Sequence, residues 1–208
     1  MIDRSKFGLN RIICPSFDVV NFFQLANELG LNYVELRNDL PYRDIIDSLS
    51  ATEIRYLVER YNLKVCTINA LQKFNNLEES RKIKDDLTYL SDVAKSMNCP
   101  AIVMCPLNII DDFRTPSEQF RDTVNMLKEL APIFENNKII GYIEPLGFKS
   151  SSLSSVITAM KAVEESEYKE YRIVIDTFHH AIGPDNLEKL SNEYDIKLTG
   201  IIHISAVT

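Results

Sequence analysis

Three short apolar segments of the chain carry side chains that can bind a metal ion or move a proton. Glu144 and Asp176 each follow directly on such a segment, His203 lies within a third, and His179 stands three positions beyond Asp176. Carboxylates and imidazole together suit Mn²⁺, Zn²⁺, Co²⁺ or Fe²⁺, whereas oxygen ligands alone suit Mg²⁺ or Ca²⁺. A carboxylate can also accept and return a proton. These residue types therefore predict a divalent metal site that includes a candidate acid or base.

The elements that must position these side chains are seven short apolar runs, rich in β-branched residues. Such runs are typical of parallel strands that are buried on both faces. Segments with helical periodicity lie between the runs. The runs cover residues 11–14, 33–36, 64–68, 101–104, 139–143, 172–175 and 200–204, and the helical segments cover 22–29, 52–58, 83–97, 120–131, 156–163 and 187–190.

Strands that alternate with helices at steps of about thirty residues indicate serial βα architecture. A doubly wound sheet and a (β/α)8 TIM barrel both fit this pattern. The regular spacing and the lack of an early GxGxxG loop favour the barrel. A complete barrel has eight strands in about 250 residues, whereas these 208 residues contain seven runs. We therefore expect a single barrel domain over residues 1–208 that lacks the eighth strand and is incomplete at its C-terminal end.

In such a barrel the active site lies at the C-terminal ends of the strands, where Glu144, Asp176 and His203 stand. Adjacent strands are about 4.8 Å apart, so these side chains could meet at one point. Each has an ordinary alternative role: Glu144 or Asp176 could cap a helix, and His203 could be a hydrogen-bonded core histidine. Their occurrence at equivalent positions of successive units favours the metal site.

The amino-acid composition argues against some kinds of binding partner and indicates the cellular compartment. Lys and Arg total 23 against 30 for Asp and Glu, so the net charge is −7, which argues against broad binding to nucleic acid or to an anionic membrane. No segment approaches the about 20 apolar residues of a membrane helix. The four cysteines form no CxxC pair, which favours free thiols in a reducing compartment and a cytoplasmic location.

Three motifs resemble the metal-site motifs of the xylose isomerase-like TIM barrels, a superfamily of sugar isomerases, 3-epimerases, inosose dehydratases and endonuclease IV. Within it the chain is most similar to the inosose isomerase (2-keto-myo-inositol isomerase) branch, through its second and third strand segments and through residues 178–181. The motifs are Ile-Glu-Pro-Leu-Gly at 143–147, Val-Ile-Asp-Thr-Phe-His at 174–179 and Ile-His-Ile at 202–204.

The resemblance implies that Glu144, Asp176 and His203 bind a divalent metal, with Mn²⁺ or Zn²⁺ favoured. It implies that Glu144 also acts as acid and base in an enediol isomerisation of a cyclic polyol ketone or keto-sugar, and that His179 hydrogen-bonds a substrate oxygen. A fourth ligand, a glutamate on an eighth strand, is implied too, and no residue of this chain can supply it. We therefore expect the 208-residue chain to have little activity and to associate through its exposed strand edges.

Three further residues are candidate substrate contacts. Glu35 and Arg37 point to the same face of the second strand, where a buried ion pair is the alternative to substrate contact. Asn69 follows the third strand and could donate to a substrate hydroxyl, with a turn-forming role as its alternative.

Three competing functions remain. A related sugar epimerase or isomerase is one, although the resemblance places a second glutamate of the 3-epimerases at position 150, which is Ser150 here. Endonuclease IV-like DNA repair would need additional histidines where Asn69 and Cys105 stand, so it is disfavoured. A non-catalytic sugar-binding barrel belongs to another class altogether. The predicted partner is a small polyol or keto-sugar, without nucleic acid or membrane, and with a homo-oligomer left open.

Overall fold

The computed structural model describes residues 4–206, and within this range the chain alternates strands and helices as predicted. The strands are β1 (Gly8–Asn10), β2 (Tyr33–Arg37), β3 (Lys64–Leu71), β4 (Ala101–Met104), β5 (Ile140–Ile143), β6 (Arg172–Asp176) and β7 (Thr199–His203). The helices are α1 (Val19–Glu28), α2 (Ala51–Arg60), α3 (Ser80–Ser96), α4 (Pro116–Asn137), α5 (Val156–Ser166), α6 (Thr177–Ile182) and α7 (Leu187–Glu193).

The chain forms two compact units. The first unit comprises residues up to Ala70 together with Tyr89–Ile102. Its strands β1, β2 and β3 are hydrogen-bonded in parallel in that order. The core of this unit includes the fully buried side chains of Phe22, Phe23 and Leu36. The amphipathic periodicity that predicts α1 therefore corresponds to a buried face.

The predicted first strand at residues 11–14 is wrong, because β1 ends at Asn10 and the next three residues form a 3-10 turn. The Asn10 side chain accepts a hydrogen bond from the amide of Ile12 at 2.9 Å, which bends the backbone out of the strand. Ile12 and Ile13 are consequently 48% and 60% exposed, although their β-branched side chains favour a strand.

Arg11 is fully buried in this turn and organises the surrounding loops. Its guanidinium donates to the backbone oxygens of Phe17 and Ile45, both at 3.0 Å. It also forms an ion pair with Asp47 at 2.5 Å, and that carboxylate accepts the amide of Val19 at the start of α1. A buried charge is tolerated when it is paired and hydrogen-bonded in this way.

The second unit comprises Leu71–Thr88 and the residues from Val103 onwards. Its strands β5, β6 and β7 are hydrogen-bonded in parallel in that order. The ring of Tyr171 packs edge-on against Phe134 of α4 at 5.6 Å between centroids, and its hydroxyl donates to the oxygen of Leu127. A buried tyrosine needs such a partner for its hydroxyl.

Helix α6 is the one α-helix in residues 4–206 that the sequence analysis does not predict. It has only six residues, too few to display the apolar repeat that identifies the longer helices. It begins directly after Asp176, whose carboxylate accepts the amides of Phe178 at 2.7 Å and His179 at 3.1 Å.

No helix within residues 4–206 is long and apolar enough to cross a membrane.

Asn75 connects three loops of the second unit. It is fully buried, and its amide nitrogen donates to Thr123 and Ser152, both at 2.9 Å. Its side-chain oxygen accepts the amide of Leu107 at 2.8 Å. The loops that follow β3, β4 and β5 are therefore joined by one side chain.

We expect Asn75→Ala to lower the free energy of unfolding by about 2–4 kcal/mol, because it leaves buried donors and acceptors without partners. Urea denaturation followed by circular dichroism measures this loss. The control Asn192→Ala removes an exposed amide from α7 and should change the stability by less than about 0.5 kcal/mol. Equal effects of the two substitutions would contradict the structural role of Asn75.

Candidate metal and active site

The candidate site lies at the C-terminal ends of three successive strands of the second unit. Glu144 is the residue after β5, Asp176 is the last residue of β6 and His203 is the last residue of β7. Asp176 and His203 are partners in the parallel register. Parallel strands present their C-terminal ends at the same edge, which is why residues far apart in the sequence meet here.

His203 lies close to both of the predicted carboxylate ligands. Nδ1 of His203 lies 2.8 Å from Oε1 of Glu144 and 3.8 Å from Oδ2 of Asp176. Two ligands that each lie about 2 Å from a tetrahedral ion are separated by about 3.3 Å. The mixed oxygen and nitrogen donors, at these separations, therefore fit a divalent metal ion, and their roles as ligands remain predictions.

The two carboxylate oxygens of Asp176 have different partners. Oδ1 accepts both amides at the start of α6, which is the capping role that the sequence offers as the alternative to metal binding. Oδ2 faces Nδ1 of His203 and accepts a hydrogen bond from the hydroxyl of Ser205 at 3.3 Å. The cap thus holds the carboxylate with its second oxygen directed into the site.

Glu144 is a buried carboxylate whose pKa is nevertheless lowered. Burial by itself raises the pKa of this group, but the hydrogen bond and charge of His203 outweigh it, with smaller contributions from His179 and the Cys105 thiol. Glu144 is therefore held in its ionised form at neutral pH. In this form it can only accept hydrogen bonds, so Nδ1 of His203 is the donor between them in the metal-free site, and Nδ1 must lose this proton before it can bind a metal.

His179 stands in the first turn of α6, close to the two carboxylates. One ligand atom from each of Glu144, Asp176 and His179 can be chosen so that all three lie within 4.8 Å of one another. Its ring packs edge-on against Phe148 and Phe178, with centroids 5.2 and 5.3 Å away. The structure thus brings His179 to the predicted metal site, and its assignment to a substrate oxygen stays a prediction.

His179 and His180 each contain a ring nitrogen that is buried without a partner. In both rings Nδ1 is buried and has no hydrogen-bond partner among the described residues. Both residues line a small cavity together with Asp176 and Asp185. The cavity has room for about one water molecule, so a cyclic polyol would not fit inside it.

Sequence reasoning missed Cys105 and Ser205 as neighbours of the site. The Cys105 thiol donates to Oε2 of Glu144 at 3.5 Å, on the oxygen that His203 does not use. Cys105 follows β4 directly, as Glu144 follows β5. The search for polar side chains at strand ends could therefore have found it, whereas Ser205 lies beyond the end of β7 and carries no comparable signal.

The other predicted substrate contacts, Glu35, Asn69 and Arg37, lie in the first unit. Glu35 is buried and accepts hydrogen bonds from Asn10, Thr67 and, at 3.5 Å, from Nδ2 of Asn69.

Arg37 forms its ion pair with Asp39 at 2.6 Å. The substrate roles of Glu35, Asn69 and Arg37 remain predictions.

The sequence of this chain matches the model of a known protein family. The sequence model of the family described as "Xylose isomerase-like TIM barrel" matches residues 23–208. The match confirms the predicted fold class, a TIM barrel of which seven strands lie in the described residues.

A similar protein sequence and a similar solved structure agree with this family. The inosose isomerase of Halalkalibacterium halodurans is 26% identical over 190 residues, which cover 90% of this chain and 66% of that protein. The chain thus spans just under two thirds of the length of this curated relative. A xylose isomerase domain-containing protein from Salmonella typhimurium LT2 is 34% identical with a TM-score of 0.91, covering 100% of this chain and 73% of that one.

A second similar structure contains a metal ion. The IolI protein, solved with a bound zinc atom, has a TM-score of 0.85 and 23% identity, over 95% of this chain and 71% of that chain. At this identity the likeness shows a shared fold.

We expect Zn²⁺ to raise the melting temperature of the wild-type chain, and Asp176→Asn to weaken Zn²⁺ binding by at least about tenfold. Asparagine caps a helix as well as aspartate does, so this substitution removes the charge and keeps α6 capped. Titration calorimetry measures the affinity, which should also fall as the pH is lowered because protons compete for the ligands. The exposed Asp85→Asn is the matched control, and equal affinities for the two variants would exclude Asp176 as a ligand.

Proposed function

Because the chain belongs to the xylose isomerase-like TIM barrel family, we propose that it is a divalent-metal-dependent isomerase of a cyclic polyol ketone or keto-sugar, such as 2-keto-myo-inositol. The observation that carries the proposal is the convergence of Glu144, Asp176 and His203 at three strand ends. The inosose isomerases among its relatives support an isomerase of sugars or polyols, and the particular substrate is our proposal.

Glu144, Asp176 and His203 would hold the metal, which is Zn²⁺ or Mn²⁺ in this proposal. The zinc atom bound to the IolI protein, which shares this fold, supports the proposal that this chain binds a metal ion. When bound, the ion would supply positive charge that stabilises the oxyanion formed as a ketone becomes an enediolate.

Glu144 would move the proton. It is ionised at neutral pH because His203 lowers its pKa against the effect of burial, and an ionised carboxylate is the form that accepts a proton from carbon. It is only 5% exposed, so few water molecules compete for it. After the transfer, Glu144 would carry the proton until the neighbouring carbon takes it back.

Substrate recognition would depend on groups that hydrogen-bond to hydroxyls. His179 would hold a substrate oxygen beside Glu144, since both lie in the same cluster. Glu35, Asn69 and Arg37 are retained as proposed substrate contacts. The four cysteines are free within the structure, which supports the proposal of a reducing, cytoplasmic location.

Exchange of hydrogen between substrate and solvent tests the proposed function. The carbon-bound hydrogen beside the ketone of 2-keto-myo-inositol should exchange with D₂O in the presence of this chain and Zn²⁺ or Mn²⁺, as followed by proton NMR. In this exchange a proton leaves a carbon and a deuteron returns to the same carbon. One base is enough for both steps, so Glu144 would perform the exchange without a second proton-transfer group. Metal-dependent binding of the ketone without exchange would instead favour the non-catalytic sugar-binding barrel.

We expect Glu144→Gln to reduce this exchange at least about 10²-fold, because an amide cannot accept the proton. Its oxygen can still contact the metal, so some metal binding should persist. Calorimetry with Zn²⁺ and the melting temperature show whether the variant is folded and loaded. Exchange at the wild-type rate would mean that another group is the base.

A further inference from the structure

We propose that Gly147 and Gly183 form a clasp around the backbone carbonyl of His179, and that this clasp positions α6 so that Asp176 and His179 meet Glu144. The two glycines are thus positioning residues for the site. The structural part of this inference stands on backbone packing, and its consequence for catalysis rests on the proposed function.

The first half of the clasp is Gly147, which is buried and lies three residues beyond Glu144. A Cβ built on Gly147 would overlap the carbonyl oxygen of His179 and would lie 2.9 Å from its carbonyl carbon and 3.0 Å from the nitrogen of Gly183. All three are backbone atoms, so no side-chain rotation could relieve the overlap. The loop after β5 therefore touches the backbone of α6 directly.

The second half is Gly183, the residue that ends α6. A Cβ on Gly183 would lie 2.7 Å from the same carbonyl oxygen of His179 and 3.4 Å from Cα of Gly147. The φ of Gly183 is −82°, and Gly147 does not adopt a positive φ either. Neither backbone conformation requires glycine, so the reason for glycine at both positions is the lack of space for a side chain.

Helix α6 needs external contacts of this kind. A helix of six residues is far below the about 12–15 residues at which an isolated helix becomes even marginally stable. At its start it is held by the Asp176 cap and by Thr177, whose hydroxyl donates to the oxygen of Ser205 and accepts its amide, both at 2.8 Å. Toward its end Ala181 and Ile182 are exposed, so Gly147 supplies the backbone contact from outside the helix there.

The clasp connects the loop that carries Glu144 to the helix that carries His179 and is capped by Asp176. A methyl group at position 147 must push the His179 carbonyl away, and α6 moves with it. Metal–ligand distances stay within about 0.2 Å of their standard values, and a misplacement of about 1 Å can cost about 10²-fold in rate. Glycine at positions 147 and 183 thereby sets the distances between Glu144, Asp176 and His179.

Imidazole NMR of Gly147→Ala tests the clasp directly. The chain contains three histidines, so each ring signal can be assigned by replacing one histidine at a time with glutamine. We expect the His179 signal to shift in Gly147→Ala, and Zn²⁺ affinity to fall by about 10- to 100-fold. Gly183→Ala, whose Cβ overlaps the same oxygen less severely, should give a smaller change of the same kind and serves if Gly147→Ala does not fold.

The matched control is Gly141→Ala in β5, where an added Cβ would lie 2.7 Å from the ring of Tyr171. It should lower the melting temperature but leave the His179 signal and the Zn²⁺ affinity unchanged. A folded clasp variant with the wild-type His179 signal, or a Gly141→Ala variant that shifts this signal equally, would overturn the proposal. A wild-type chain that binds no Zn²⁺ would reject the proposed function, whereas the His179 signal alone decides on the clasp.

Discussion

The hydrogen bonds from the first turn of α6 to Oδ1 of Asp176 are the interaction on which the candidate site depends. They fix the orientation of the carboxylate, and that orientation leaves Oδ2 to face His203 and Ser205. The same bonds start the helix that brings His179 into the cluster. One side chain thus ends a strand, starts a helix and offers a ligand atom. A structural role and a chemical role are compatible in a carboxylate because it has two oxygens.

Glu144 shows how burial and ionisation are reconciled in this site. Removing a carboxylate from water disfavours its charged form, and the neighbouring His203, His179 and Cys105 reverse that effect. His203 contacts Oε1 and Cys105 contacts Oε2, so both oxygens are held from different strands. As the proposed base, Glu144 would be oriented before the substrate arrives and would need little reorganisation during the reaction.

The sequence predicts most of the fold because the buried parallel strands and the longer amphipathic helices have strong patterns. It predicts Glu144, Asp176 and His203 for the same reason, since the end of a buried strand is where a polar residue stands out. The predicted position of the first strand is wrong because β-branched Ile12 and Ile13 favour a strand, while the local hydrogen bond of Asn10 decides the conformation. Helix α6 is held by a cap and by backbone contact with glycines, and neither leaves an apolar repeat to detect. The direct approach of Gly147 to His179 depends on the folded backbone, so no one-dimensional pattern encodes it.

The hydrogen bonds of the Asn75 amide restrict how the loops of this protein can change in length during evolution. Loops at the ends of barrel strands are usually the parts that vary freely in length. Here the segments after β3, β4 and β5 share one buried side chain, through its bonds to Leu107 and Ser152. An insertion into any of these segments would displace the other two, so they constitute a single unit of variation. Change in this part of the protein would therefore arise more readily by exchanging side chains on these loops than by changing their length.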